Sequence, residues 1–495
     1  MTQNRRAPTL SFSPTIIQGG MGAGVSGWKL ARAVSLTGQL GVVSGTALDQ
    51  ILVRKLQMGD PGGHLRRAMS FFPDLEMVDR IEDAFFLPMG KPGGERFKAP
   101  PMFSFRMPRL LEELTVVAAF SEVFLAKEGH DRAVGINLLE KIQLPNIFTI
   151  YGAMLADVDF VFMGAGIPNE IPAVIDGLSR HQDVSLKIDV LGKSGTDKFR
   201  LNFSPSAFLP KKALELKRPR FLPIIASSTL ARMMFKKTDG GIDGYIVESS
   251  QAGGHNAPPR GKLILTHEGE PVYGERDDIE IAKIKALGLP FWLAGAWGNP
   301  EKLTQALSAG AQGIQVGTVF AFCKEAGLTD QLKRQAIESI LLGDASVFTD
   351  AKASPTQFPF KVLRLQNNLS EPSEYQSRKR ICDLGYLREI YAREDGSIGY
   401  RCPAEPVDAY LNKGGKPGGT EGKKCLCNAL LSNIGLGQGR KDGYVEKALI
   451  TAGKDILSIA RLLQKKRSYS AADVVEWLLA DARCGELTTS FRKTA

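Results

Sequence analysis

The strongest constraint on the fold is a series of short runs rich in β-branched residues, which alternate with helical stretches through the first two thirds of the chain. Eight runs predict strands, at 15–18, 41–44, 133–137, 160–163, 222–226, 244–248, 290–294 and 313–316. Such alternation is typical of consecutive βα units on a parallel sheet. Eight units predict an α/β fold, a closed (β/α)8 TIM barrel.

Several predicted strands end in glycine or small polar residues, in the sequences GGMG, SGT, MGAG, SQAGG, GAWG and VGT. Glycines at successive strand ends let backbone N–H groups approach a phosphate closely, and Gly317-Thr318 leads into a helix whose amino terminus favours an anion. In a barrel these loops meet at the carboxyl rim, where catalysis takes place. The pattern therefore predicts a phosphate-bearing cofactor.

Two segments interrupt the regular spacing of the barrel, which we place at 1–330. Residues 46–131 exceed an ordinary crossover and contain glycine- and proline-rich loops, which predicts a helical insert, or lid, after the second strand. Residues 184–203 alternate on both sides of a glycine-containing turn and predict a β-hairpin insert after the fourth strand. Helical stretches dominate 331–495, and the apolar loop 343–363 indicates that this mainly helical C-terminal extension packs partly on the barrel.

The composition is that of an ordinary globular protein. There are 63 Lys and Arg against 53 Asp and Glu, a formal charge of +10, but the basic residues are dispersed without interleaved aromatics, so we expect no nucleic-acid function. We find no run of about eighteen apolar residues and no signal peptide, and expect a cytoplasmic protein that does not span a membrane. Six cysteines are too sparse for a disulfide framework and favour reduced thiols.

The most informative single residue is His255, in the sequence VESSQAGGHNAPPRG after the predicted strand 244–248. An imidazole held on a glycine turn at a barrel rim can approach a ligand, and its ordinary pKa suits proton abstraction near neutral pH. We therefore predict that His255 is the catalytic base. Glu248, at the end of the same strand, either orients His255 or forms a polar wall of the pocket.

The strand-end motifs together resemble those of the nitronate monooxygenase family, formerly called 2-nitropropane dioxygenases. TIIQGGMG, GVVSG, YIVESSQAGGHN, FWLAGAWG and AQGIQVGTVF occur in the family's order and spacing across about 14–322. The combination of AGGH with QVGT two strands later is far more specific than any single glycine motif.

The resemblance implies an FMN cofactor bound without a Rossmann unit, and a base, His255, that acts on the α-carbon of a nitroalkane or orients the nitronate. It also implies that the flavin takes an electron from the nitronate and that dioxygen then reacts. Carried over by motif, the residues beside the flavin ring are Gln18, Gly19, Gly20, Met21, Gly22, Gly253 and Gly254. Those that hold the phosphate and ribityl chain are Gly295, Gly298, Gln315, Gly317 and Thr318.

Other polar residues are candidates to contact or tune the flavin. Asn137, at the end of the third predicted strand, is a candidate to bond the isoalloxazine edge. Lys187 and Arg260 are candidates for a cation near the flavin N1, where negative charge accumulates on reduction. We favour Arg260, because Lys187 falls in the hairpin insert. Further candidates at the substrate or the flavin are Glu248, Asn256 and Trp297.

The chain also departs from that family. The insert and the C-terminal extension are foreign to typical members, and NAPPRG follows the histidine where Arg or Gly is common. A long form with such an extension is similar to the stand-alone, flavin-dependent enoyl reductases of polyunsaturated fatty acid and polyketide synthases, which also place a Gly-Gly-His on this strand. That resemblance implies NAD(P)H as reductant and an acyl-carrier protein as partner.

The extension contains a group of cysteines, in part within the segment KKCLCNALLSNIGLGQ. Cys382, Cys402, Cys425 and Cys427 are close enough in sequence for a four-thiolate site. A C-x-C without a paired C-x2-C is nevertheless poor metal spacing, so we expect buried apolar cysteines and no metal.

Three functional hypotheses follow. We favour an FMN-dependent nitronate monooxygenase that oxidises a nitroalkane or nitronate with dioxygen. The alternative is an NAD(P)H-dependent enoyl-thioester reductase that acts in trans with a fatty acid or polyketide synthase. The third is a non-catalytic, flavin-carrying subunit of a complex that docks through the extension.

Overall fold

The computed structural model describes residues 13–192, 199–210, 216–464 and 466–480. Its centre is a sheet of eight parallel strands, numbered here in chain order. They are Ile16–Gln18 (β1), Gly41–Ser44 (β2), Val134–Leu139 (β3), Phe160–Gly164 (β4), Arg220–Ile225 (β5), Tyr245–Glu248 (β6), Phe291–Ala294 (β7) and Gly313–Val316 (β8). All eight correspond to predicted strands, so the prediction of a TIM barrel is confirmed.

The sheet closes into a barrel between β1 and β2. The strand order is β1-β8-β7-β6-β5-β4-β3-β2, and the gap is bridged by the N–H of Gln18, which donates to the carbonyl oxygen of Leu40 at 2.9 Å. The interior is filled by the buried side chains of Ile17, Val42, Phe160, Phe162, Leu222, Ile246 and Trp292. Closure brings the carboxyl ends of all eight strands to one rim.

Helices between the strands form the outer layer. They are Trp28–Leu36, Arg109–Lys127, Gln143–Leu155, Ile171–Ser179, Ser228–Lys237, Ile281–Lys285, Pro300–Ser308 and Thr318–Ala321. Local sequence sets where they begin: Asn299 accepts a hydrogen bond from the N–H of Lys302, and Pro300 occupies the first helical position. No helix in the described part of the chain is long and apolar enough to cross a membrane.

The long segment between β2 and β3 is helical. It contains Leu48–Gln57, His64–Met69, Leu75–Phe85 and Arg109–Lys127. The last helix is buried along most of its length and packs on Gln143–Leu155, so it serves as the crossover between the two strands. The other three contact or surround it, which makes most of this segment part of the scaffold.

A hairpin follows β4 and the helix after it. Val184–Lys187 pairs antiparallel with Arg200–Phe203, and its turn, 193–198, lies outside the described residues. Phe203 packs against Tyr151, with ring centroids 5.1 Å apart, so the hairpin covers the outer side of Gln143–Leu155. A short helix, Pro205–Phe208, leads on towards β5.

The extension folds back over the barrel rim. Its helices are Asp330–Leu342, Pro372–Ser377, Val407–Asn412, Leu426–Asn433, Ile459–Leu463 and one over 471–480. It also contains strands that the sequence analysis did not predict: Ser346–Asp350 pairs with Phe360–Arg364, and Glu389–Ala392 with Ile398–Arg401. Phe360 pairs in addition with His255, which attaches the extension to the rim.

Candidate active site

A cavity opens at the carboxyl ends of the barrel strands, between the rim and the extension. The space between its lining residues is about 1450 Å³, part of it open to solvent. Most of the residues predicted for the site meet in its wall: Gly19, Gly20, Met21, Gly22, Asn137, Glu248, Gly253, Gly254, His255, Gly295, Trp297, Gln315, Gly317 and Thr318. The structure thus gathers side chains and loops from both sides of the barrel at one place.

Gln18 does not belong to this wall. Its buried side chain donates through Nε2 to the carbonyl oxygen of Gly19 at 2.6 Å and to Ser26 Oγ at 2.9 Å, and its Oε1 accepts from the N–H of Val42 at 3.0 Å. These bonds join β1 to β2 and fix the glycine loop that follows. The prediction that Gln18 flanks the flavin is corrected: it supports the loop from behind.

The glycine loop 19–22 lies close to the end of β3. A Cβ at Gly20 would lie 2.4 Å from Asn137 Cβ, so only glycine fits there. Asn137 Nδ2 donates to the carbonyl oxygen of Gly20 at 3.4 Å, while its buried Oδ1 has no partner in the described part of the chain. Because an unpartnered buried oxygen costs free energy, Asn137 is suited to accept a hydrogen bond from an N–H of a ligand.

His255 faces the cavity from a short strand, Gly254–His255, at the rim. Its Nε2 lies 2.7 Å from Ser354 Oγ, and its ring packs edge-on against Phe360 with centroids 4.8 Å apart. Burial lowers the pKa of His255 from 6.5 to about 4, because these surroundings disfavour the imidazolium. The ring is therefore neutral near pH 7, and it is a weak proton acceptor.

Glu248 ends β6 and faces the same cavity. Burial raises the pKa of its carboxyl from 4.5 to about 8, and no hydrogen bond or opposite charge from the described residues offsets this desolvation. The carboxyl is therefore largely protonated near pH 7 and can donate a proton. The sequence left two roles open for Glu248. In the structure it forms a polar part of the cavity wall, and no contact within the described part of the chain would let it orient His255.

Asn256 and Arg260 lie outside the cavity wall. Asn256 is buried: its Nδ2 donates to the carbonyl oxygen of Gly254 at 3.1 Å, and its Oδ1 accepts from the Tyr273 hydroxyl at 2.9 Å. It braces the glycine turn and does not face the ligand space. Arg260 is exposed and donates to the carbonyl oxygen of Ala226 at 3.0 Å. Arg260 therefore does not line the ligand cavity, and its role beside a flavin stays a prediction.

Among the described residues, the cavity wall contains carboxyl groups but no lysine or arginine. Lys187 is exposed on the hairpin, and no Lys or Arg lines the cavity among the described residues. Two carboxyl groups do so, those of Glu248 and Asp455. An anionic ligand in this cavity consequently depends on backbone and hydroxyl donors.

Asp455, a residue of the extension, occupies the place where the sequence predicted a phosphate. Its Oδ2 accepts from the N–H of Gly298 at 3.0 Å, and burial raises the pKa of this carboxyl. Gly298 itself is not part of the cavity wall and contacts it through Asp455. One of the predicted phosphate ligands, Gly298, is therefore already bonded to a carboxyl group.

No sequence motif predicted the part of the wall that the extension supplies. It consists of Phe360, Tyr386, Leu387, Leu426, Cys427, Leu430, Thr451, Ala452, Gly453 and Asp455. The small residues at 451–453 indicated this contact in the sequence, because they permit two turns of the chain to approach each other closely. A Cβ at Gly253 would lie 2.7 Å from the carbonyl carbon of Ala452.

The cysteines of the extension lie near this wall. Cys402 and Cys425 are buried, Cys427 lines the cavity, and the Cys382 thiol is hydrogen-bonded to Cys402. Burial raises the pKa of Cys425 to about 12, which keeps its thiol protonated. Within the described ranges, no group of three or more His, Cys, Asp or Glu side chains is arranged to hold a metal ion.

Part of the chain is similar to one known family. A model described as nitronate monooxygenase matches residues 184–355, which include His255. A Mycobacterium tuberculosis (3aS,4S,5R,7aS)-5-hydroxy-7a-methyl-1-oxo-octahydro-1H-indene-4-carboxyl-CoA dehydrogenase is 29% identical over 157 residues, 32% of this chain and 39% of its own. A probable nitronate monooxygenase of Bacillus subtilis is 30% identical over 125 residues, 25% of this chain and 34% of its own. The matches thus span well under half of these relatives.

The fold has a counterpart among solved structures. FabK from Thermotoga maritima superposes with a TM-score of 0.50 at 15% identity, over 98% of this chain and 97% of its own. The correspondence extends through the barrel and the C-terminal region. At this identity it establishes the shared fold.

Proposed function

We propose, from the match of residues 184–355 to the nitronate monooxygenase family model and from the chemistry of the cavity, that this protein is a flavin-dependent oxidoreductase that reduces an enoyl thioester. The observation that carries the proposal is the pairing of Glu248 and His255 in one cavity wall. Burial leaves the first a protonated acid and the second an unprotonated, weak base. This is a cavity suited to giving a proton to a ligand carbon.

Reduction of a double bond conjugated to a thioester adds a hydride at the β-carbon and a proton at the α-carbon. FMN held by residues 19–22, Asn137 and Gly295 would supply the hydride once a nicotinamide cofactor had reduced it. Glu248 gives its carboxyl proton to the α-carbon and regains one from solvent through the open side of the cavity. Oxidation of a neutral nitroalkane instead needs a base that removes a carbon-bound proton, and burial weakens His255 in that role.

The cavity is suited to an isoalloxazine ring. The glycines of the loop 19–22 and Gly295 place backbone directly in the cavity wall. A Cβ at Gly20 would fill the space taken by Asn137. The unpartnered Oδ1 of Asn137 matches a ring N–H donor. Residues 19–22, Asn137 and Gly295 would hold FMN here.

A second groove adjoins the cavity and offers room for an acyl chain. It shares Ile142, Tyr386 and Leu387 with the cavity and continues past Phe103 and Pro355. Its empty space is about 970 Å³, part of it open to solvent. A substrate can thus place its thioester carbonyl near Glu248 while its acyl chain extends along this groove. The thiol of the thioester belongs either to coenzyme A or to an acyl-carrier protein.

One relative supports thioester chemistry. The mycobacterial relative is named as a dehydrogenase of a carboxyl-CoA compound. Removal of hydrogen from a carbon–carbon bond beside a thioester and its addition are the same reaction in opposite directions. We infer the same substrate class for this chain, with reduction as its direction.

The test is anaerobic mixing of the full-length, FMN-loaded protein with NADPH, followed by crotonyl thioester. We expect loss of the oxidised flavin absorbance with NADPH and its return on addition of the enoyl thioester. Absorbance that is lost only with a nitronate contradicts the proposal. Absence of reaction with every reductant, alongside co-purification of a partner, indicates a flavin-carrying subunit instead.

Nitronate oxidation is the second candidate function. The family match and the Bacillus subtilis relative favour it, and an anionic nitronate needs no base because it has already lost its proton. In that case the protein consumes dioxygen with a nitronate and not with the neutral nitroalkane. Oxygen uptake measured with the two forms in turn distinguishes them.

A further inference from the structure

The place expected for the cofactor phosphate already contains a carboxyl group. Asp455 Oδ2 accepts from the N–H of Gly298 at 3.0 Å, and its buried Oδ1 has no donor among the described residues. Two glycines make room for it: a Cβ at Gly298 would lie 2.7 Å from Oδ2, and one at Gly453 would lie 2.9 Å from Oδ1. The carboxyl therefore fits a space built around it.

The segment that carries Asp455 is anchored to the barrel on both sides. The N–H of Lys454 donates to the carbonyl oxygen of Gln251 at 3.1 Å, and Ser458 Oγ donates to the carbonyl oxygen of Gly298 at 3.2 Å. A short helical turn, Ile456–Ser458, begins directly after Asp455. The carboxyl is thus held in the cavity wall by contacts on either side of it.

We propose that Asp455 is a cofactor-selecting residue that disfavours a dianionic phosphate at Gly298 and Thr318 and accepts a hydroxyl there. The site consequently discriminates little between FMN and riboflavin, which ends in a hydroxyl where FMN has its phosphate. This proposal rests on the flavin site of the proposed function.

The physical reason is the absence of a compensating cation. No Lys or Arg lines the cavity among the described residues, so a phosphate at this place meets a carboxylate at close range. The carboxylate must then take up a proton or leave the Gly298 N–H, and either change costs free energy. A hydroxyl avoids this cost, because it donates to the unpartnered Oδ1.

The experiment measures binding of FMN and of riboflavin to the full-length protein freed of flavin, by flavin fluorescence at one pH near neutrality. For the wild type we expect Kd values of the two flavins within about tenfold of each other. Asp455→Asn removes the charge at nearly constant size, and should tighten FMN by about tenfold or more while riboflavin changes by less than about threefold. Asp408→Asn, at an exposed carboxyl of the same extension, should change neither Kd.

Three results overturn the proposal. They are a wild type that binds FMN at least about a hundredfold more tightly than riboflavin, an Asp455→Asn variant that loses FMN affinity, and an equal change for both flavins. A wild type that binds neither flavin overturns the proposed function as well. If Asp455→Asn does not fold, as judged by circular dichroism, Asp455→Ser removes the same charge and is measured in its place.

Discussion

Glu248 and His255 face one cavity, and a single physical cause shifts their pKa values in opposite directions. Burial disfavours the charged form of each, so it raises the pKa of the carboxyl to about 8 and lowers that of the imidazole to about 4. Both groups are therefore uncharged near pH 7. The wall thus carries an uncharged acid that can donate a proton and an uncharged imidazole that accepts one only weakly, which favours proton donation to a ligand.

Replacement of Glu248 by Gln removes this proton while it keeps the size and polarity of the side chain. We expect kcat for reduction of crotonyl thioester to fall by about 10²–10⁴-fold, with FMN affinity unchanged. In the wild type kcat should decline as pH rises through about 8, because the carboxyl loses its proton there. The residual activity of the variant should lack this decline.

The control is Glu338→Gln, at an exposed carboxyl on the helix Asp330–Leu342, which should retain the wild-type kcat. Steady-state rates of NADPH oxidation across the pH range provide both readouts. A wild-type profile that stays flat through about pH 8, or a Glu248→Gln variant of normal kcat, would show that the proton comes from elsewhere.

At the scale of elements, the barrel strands were predictable and the extension strands were not. Phe291–Ala294 is buried on both faces, so its apolar run is a local signal of a parallel strand. Glu389–Ala392 is only half-buried and depends on its pairing with Ile398–Arg401, so tertiary contact overrides its local preference. The glycine loops and His255 could also be located from the sequence, because they directly follow predicted strands. Asp455 could not, because it lies beside them only through the folding of the extension over the rim.

The hairpin formed by Ser346–Asp350 and Phe360–Arg364 holds the His255 ring through its loop. Ser354 is buried in that loop and its Oγ lies 2.7 Å from His255 Nε2. We expect Ser354→Ala to lower kcat by about threefold to tenfold, the usual effect of losing one neutral hydrogen bond, without a change in FMN affinity.

Ser354 is thus a positioning residue, and the test needs a readout of the ring itself. Nitrogen-15 NMR of the histidine ring should show a changed tautomer population for His255 in Ser354→Ala. Thr356→Val is the matched control, because it removes the other hydroxyl bonded to Ser354, at 2.8 Å, and leaves His255 its partner. An unchanged tautomer in Ser354→Ala would assign the serine to the loop alone.

At the scale of the whole molecule, the insert and the extension are joined by buried polar contacts. Arg54, on Leu48–Gln57, donates to the carbonyl oxygen of Leu436, and the Tyr386 hydroxyl donates to Asp49 Oδ1 at 2.5 Å. Since Tyr386 also lines the cavity, these contacts connect the ligand site to the packing of both segments. Loss of the extension would leave buried polar groups of the insert without partners, so we expect the segments to unfold together.

Asp49 makes this junction sensitive to pH. Burial raises the pKa of its carboxyl from 3.8 to about 6, so its contribution to stability is complete below about pH 4 and is lost as pH rises through about 6. At ~1.4 kcal/mol per pKa unit, ionisation of the folded state costs roughly 3 kcal/mol. Asp49→Asn avoids that cost and still accepts the Tyr386 hydroxyl.

The free energy of unfolding, measured by urea denaturation, should therefore favour Asp49→Asn over the wild type more strongly at about pH 7.5 than at about pH 5, by roughly 1–2 kcal/mol. His255 titrates in the same range but is common to both proteins, so its effect cancels in the difference. Asp408→Asn, at an exposed carboxyl, should show no such dependence on pH. If the advantage of Asp49→Asn were the same at both pH values, the Asp49 carboxyl would already be ionised in the folded protein across this range, and its pKa would not be raised.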